Sequence, residues 1–109
     1  MEARPRRVAI YETSAGSAPF TEWLDGLRDP KARARIRIRI DRVSLGNLGD
    51  CKTVGAGVLE LRVDYGPGYR VYLAEDGPTL VLLLCGGDKD SQSRDIELAQ
   101  EYWSDYRRR

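Results

Sequence analysis

Between Lys31 and Ile40, in "KARARIRIRI", basic and small or apolar residues alternate almost strictly. Period two ordinarily marks a half-buried strand. The ends of the stretch predict a helix instead. Asp29-Pro30 sets a capping carboxylate before a proline suited to the first helical turn, and Gly46 stands where a left-handed C-terminal cap belongs. On a helical wheel Ala32, Ile36, Ile40 and Val43 form one stripe. Ala34, Ile38 and Leu45 form a second on nearly the opposite side, with arginines between. Such a helix has two dry sides, and the second is expected to meet the preceding helix, its neighbour in sequence.

Upstream, "RRVAIYET" reads as a short strand. "SAPFTEWLDGLRD" reads as an amphipathic helix, because Phe20, Trp23, Leu24 and Leu27 recur at i, i+3, i+4 and i+7. Ser17 is its expected cap, with Pro19 in the first turn. The segment 46–57 is read as a loop. Three strands then follow, punctuated by Gly66-Pro67-Gly68 and by "EDGP". In the first two, Leu59, Leu61, Val63, Val71 and Leu73 share one face, and Glu60, Arg62, Asp64, Arg70 and Tyr72 the other. An unbulged hairpin would set Tyr65 opposite Tyr69, Arg62 opposite Tyr72 and Asp64 opposite Arg70. "TLVLLL" is apolar on both faces and is expected to be central in the sheet or covered on both sides. A last helix carries Ile96, Ala99, Trp103 and Tyr106 on one stripe. The predicted order is βααβββα, an α+β fold in one domain, residues 1–109.

Composition narrows the chemistry. The 109 residues include no histidine, which removes the usual neutral-pH acid–base group and every Ser-His, Cys-His and His-based metal site. Net charge is +1, yet residues 28–42 hold seven basic groups against Asp29 and Asp41, a local net of +5. Total charge therefore understates the scope for nucleic-acid binding. Cys51 and Cys85 lack metal-ligand spacing, fit a reducing cytoplasm, and Cys85 reads as a small core residue. No apolar run is long enough to span a bilayer, and "MEARPRRVAIYET" lacks the apolar stretch of a signal peptide.

Two readings of the polar strand face stay open. It is a solvated face with one cross-strand pair, or a phosphate-binding surface. For the second, Arg62 and Arg70 offer planar donor forks, and Tyr65, Tyr69 and Tyr72 offer stacking or a phenolic proton. Lys89 and Arg94 follow the glycines of "CGGD", where backbone can approach a ligand closely, and Lys52 lies in the loop leading into the sheet. The arginines of the basic helix, Arg35 and Arg39 among them, solubilise its margins, contact an RNA backbone or line a seam for an acidic partner. Asp88 and Asp90, at i and i+2 in a loop, make a poor metal site.

"PFTEWLDGLRDPKARARIRIRIDRV", "ELRVDYGPGYRVYLAEDGPTLVLLLCGGDK" and "RDIELAQEYW" together resemble the RelE/ParE superfamily of bacterial toxin–antitoxin toxins. The similarity is strongest to its HigB-like, phage-related addiction module killer protein branch and runs from about Tyr11 to Trp103. It implies a RelE-like fold, a small twisted, mainly antiparallel sheet with two N-terminal helices on one face and a C-terminal helix. It also implies a cytoplasmic, metal-independent mRNA interferase. That enzyme cleaves mRNA on the translating ribosome without a cofactor, is neutralised by a HigA-like helix-turn-helix antitoxin, and meets operator DNA only through that antitoxin. The catalytic set it implies is Arg62, Arg70 and Lys89, with Tyr72 or Lys89 left to move protons; on the phosphate-binding reading of the residues themselves, Lys52, Tyr65, Tyr69, Arg94, Arg35 and Arg39 would bind the RNA. The C-terminal tyrosine of RelE proper has no counterpart between Asp90 and Asp95, and the histidine of some HigB toxins is missing. The superfamily leaves two alternatives, a ParE-like toxin that binds DNA gyrase without nuclease chemistry and a degenerate toxin that keeps only antitoxin and operator binding.

Overall fold

The computed structural model describes residues 4–109; the first three residues of the segment judged for a signal peptide lie outside them. Its elements are β1 (Arg7–Ile10), α1 (Pro19–Gly26), α2 (Pro30–Ser44), β2 (Cys51–Thr53), β3 (Leu59–Val63), β4 (Tyr69–Asp76), β5 (Leu80–Gly87) and α3 (Gln92–Arg108). The fold is α+β, with a five-stranded mixed sheet in the order β1-β5-β4-β3-β2. Only β1 runs parallel to its neighbour, β5. Strand β2 departs from the predicted order: its three residues sit in a glycine-rich stretch too short to show alternation.

Helix α2 forms where its punctuation places it. Asp29 accepts a hydrogen bond from the Lys31 amide at 2.9 Å. At the other end Gly46, at φ +93°, and Asn47 donate to the Val43 and Arg42 carbonyls, the paired closure that a left-handed residue makes possible. Ser17, by contrast, does not cap α1. Ala18 holds that position, and the Ser17 hydroxyl donates to Glu22 farther along.

Two cores flank the sheet. Phe20 and Leu24 of α1 and Ile36 and Val43 of α2 pack on Leu61, Val63, Val71, Leu73, Val81 and Leu83. Ala99 and Trp103 of α3 pack on the other face, against Tyr72, Ala74, Leu82, Leu84 and Cys85. Strand β5 lies between β1 and β4 under both layers, as its apolar run predicts. A bulge sharpens its second face: Tyr72 pairs with Cys85 but Leu73 with Leu83. Leu84 is the extra residue, so it and Cys85 both point toward α3.

The second stripe of α2 does not meet α1. Ile38 is 52% exposed and Leu45 67% exposed. Each helix instead lies on the sheet separately, α1 over β5 and α2 over β3. The glycines of "CGGD" admit helices, not a ligand: a Cβ on Gly86 would enter the Trp23 ring of α1, and one on Gly87 would strike the Asp95 carboxylate of α3.

Candidate functional site

The β3–β4 loop is longer than the unbulged pairing requires, and the register differs from it by two residues. Val63 pairs with Tyr69, Arg62 with Arg70 and Glu60 with Tyr72. A two-residue shift preserves faces and changes partners. There is thus no Asp64–Arg70 pair; two arginines stand opposite each other. The row Lys52–Glu60–Tyr72 crosses β2, β3 and β4, and the row Arg62–Arg70 lies beside it on the same face. This face is the one α3 covers farther along β4 and β5.

Glu60 is the centre of the arrangement. It is fully buried. Its Oε2 accepts from the Tyr72 hydroxyl at 3.0 Å and from Gln92 Nε2, in the first turn of α3, at 2.9 Å. Its Oε1 faces Arg62 Nε at 3.6 Å, Arg70 Nε at 3.7 Å and Lys52 Nζ at 3.8 Å. None of these is close enough for a hydrogen bond. Burial pushes the Glu60 carboxyl up, but Gln92, Tyr72, Lys52 and Arg70 outweigh it and hold it below the usual range. The site therefore keeps an ionised carboxylate beneath three cations, a net of two positive charges. The Lys52 and Arg62 side chains are half exposed, and Arg70 is mostly covered and donates to the Gly68 carbonyl at 2.8 Å.

A groove of about 330 Å³ opens beside the cluster between Asp50, Arg62, Asp64, Gly68, Tyr69 and Arg70. A second, of about 410 Å³, shares Arg62 and runs along α2 past Arg35, Ile38 and Arg42. Lys89 is exposed in the β5–α3 loop, its Cβ close to Gly68 and so beside the arginine pair. Asp88 closes the turn that leads into α3, accepting from the Asp90 and Ser91 amides.

The remaining sequence candidates have other roles or positions. Tyr72 is fully buried, and burial together with its bond to Glu60 raises its pKa strongly. It holds Glu60 and is no proton shuttle. Tyr65 and Tyr69 pack at the rim of the opposite core. Tyr65 donates to Asp29 at 2.9 Å under the Arg35 guanidinium, and Tyr69 sets its ring edge-on to Trp23. Arg94 is exposed on α3, where Gln92 is the residue that reaches the cluster. Arg39 is no surface contact for RNA. It is 8% exposed and donates to the carbonyls of Arg62 at 3.2 Å, Asp50 at 3.0 Å and Leu48. Glu60 is the residue that pattern reading missed; an acid flanked by Leu59 and Leu61 in a strand, two residues before Arg62 and so on the same face, is the available signal.

No family model matches the chain. Over 81 residues it is 51% identical to an uncharacterized protein of Haemophilus influenzae (strain ATCC 51907 / DSM 11121 / KW20 / Rd), covering 74% of this chain and 82% of that protein. The chain belongs to that protein's family. What the chain presents here is a cationic sheet face, Lys52, Arg62 and Arg70 around the Glu60 carboxylate. Of these, Arg62 and Lys52 present half-exposed donors, while Arg70 is mostly covered and bonded to Gly68. Among the described residues no helix is long and apolar enough to cross a membrane.

Proposed function

We propose that the protein is the toxin of a type II toxin–antitoxin module, a RelE-like, HigB-branch endoribonuclease that acts in the cytoplasm on mRNA held by the ribosome and is neutralised by a helix-turn-helix antitoxin. The observation that supports this reading best is Arg62 opposite Arg70 beside Lys52, three cations gathered on one sheet face. In the proposed reaction the RNA 2′-hydroxyl oxygen attacks the adjacent phosphorus and releases its proton to solvent water, the bond to the 5′-oxygen breaks and that oxygen takes up a proton, and a 2′,3′-cyclic phosphate and a 5′-hydroxyl result. Negative charge grows on the phosphorane-like transition state, where Arg62 and Arg70 donate to it. Lys89, exposed beside the arginine pair, would give a proton to the leaving 5′-oxygen. Positioning by the ribosome supplies what the side chains lack.

Inducible expression of wild type and Arg70→Ala, with 5′-end mapping of cellular mRNA within minutes, tests this reading. New ends inside translated frames, absent from the variant, are expected. Growth arrest with intact mRNA would instead favour a gyrase-directed, ParE-like toxin.

A further inference from the structure

Nothing in the reaction just described uses Glu60, yet its buried carboxylate meets two hydrogen-bond donors and faces three cations. A carboxylate buried among cations ordinarily ends in close ion pairs that satisfy both oxygens. Here only Oε2 is satisfied, by Tyr72 and Gln92. Oε1 and the facing Arg70 Nε are buried without hydrogen-bond partners. The three cations stand 3.6–3.8 Å from Oε1, near enough for strong attraction and too far to spend a donor on it. The Arg62 fork and the Lys52 ammonium thus keep their donors for a ligand while being drawn to one point. Without the carboxylate, Arg62 and Arg70, directly opposite across β3 and β4, would repel each other apart.

The geometry points to Glu60 as the positioning residue of this site: a buried counter-anion, locked by Tyr72 and Gln92, that holds Lys52, Arg62 and Arg70 in a constellation sized for one phosphodiester. The inference rests on the nuclease reading. It has a consequence that a plain stabilising role lacks. Glu60 also repels the RNA, so neutralising it should leave binding intact or improve it while spoiling the chemistry. Uniform binding and transition-state positioning separate in this way.

The test uses the full chain, purified as wild type, Glu60→Gln and Gln92→Ala. Cleavage of mRNA on programmed ribosomes gives kcat and KM. Anisotropy with a 2′-O-methyl RNA oligonucleotide, which lacks the attacking hydroxyl, gives affinity across a salt series. For Glu60→Gln the expected result is a kcat lower by about tenfold or more, with affinity for the methylated RNA equal or higher. The salt dependence should steepen by up to about 0.7 in log–log slope for one added phosphate contact. Gln92→Ala, which removes one hold on Oε2 from the start of α3, is expected to lower kcat severalfold without weakening binding. It carries the test if Glu60→Gln fails to fold. Cleavage by the folded variants within about twofold of wild type overturns the positioning role, as does parallel loss of binding and cleavage. A wild type that cuts no RNA sinks the nuclease reading itself, and the positioning role with it.

Discussion

Arg39→Met separates a buried clamp from a nucleic-acid contact. The guanidinium sits between α2 and the β2–β3 edge and donates to three backbone carbonyls, those of Leu48, Asp50 and Arg62. Methionine retains the apolar stem, so the loss is chiefly the three charge-assisted bonds and the carbonyls they leave unpaired. At about 1–2 kcal/mol for each bond the gross loss is roughly 3–6 kcal/mol. Relief from burying a guanidinium, whose pKa burial already lowers, offsets part of this and leaves about 2–4 kcal/mol. A domain of this size has only about 5–15 kcal/mol in total, so the urea midpoint should fall by roughly 1–3 M at an ordinary slope. Arg35→Met, on the same helix but exposed over the Tyr65 ring, should cost less than about 1 kcal/mol. Equilibrium urea unfolding followed by tryptophan fluorescence measures both. A change below about 0.5 kcal/mol for Arg39→Met would refute the clamp.

Gly86→Ala should destabilise by roughly 1–3 kcal/mol, because its methyl enters the Trp23 ring and α1 must lift from β5; thermal melting checks it, and an unchanged midpoint would contradict the close approach. Glu60 makes stability fall in acid. Its folded pKa lies below the ordinary carboxylate value, so its contribution is complete above the unfolded pKa of about 4.5 and is lost as pH falls through the folded value. Glu60→Gln should therefore show a shallower acid limb in urea titrations from pH 6 to pH 3, and identical limbs would contradict the assignment. Cys85, whose thiol burial pushes up to about 12, should react with a thiol reagent only on unfolding, while half-buried Cys51 reacts in the native protein; equal native rates would overturn that burial pattern.

What the chain reveals without coordinates is mostly local. Asp29, Pro30 and Gly46 mark both ends of α2 because capping is settled within a few residues. Ile36 and Val43 mark its buried face because the helical period fixes it. The alternation of β3 and β4 correctly sorts Arg62 and Arg70 onto one face. Their direct pairing is not legible, since it depends on the conformation of the Gly66–Gly68 loop. The bulge at Leu84 is invisible in a run that is apolar at every position. Arg39 looks like any other arginine of the helix, although it falls three residues after Ile36 and four before Val43, within the buried stripe. Glu60 is hidden for another reason. Its burial depends on the first turn of α3, which arrives from 32 residues away to supply Gln92, and no local pattern reports a contact of that range.

The most direct test of the central claim is the end chemistry of mRNA incubated with the purified protein on programmed ribosomes. Wild type should yield fragments ending in 2′,3′-cyclic phosphate, and Arg70→Ala should reduce their rate by about 100-fold or more, as expected when a principal transition-state donor is lost. Intact mRNA with wild type, or equal cleavage by Arg70→Ala, would contradict a nuclease built on the Arg62–Arg70 pair.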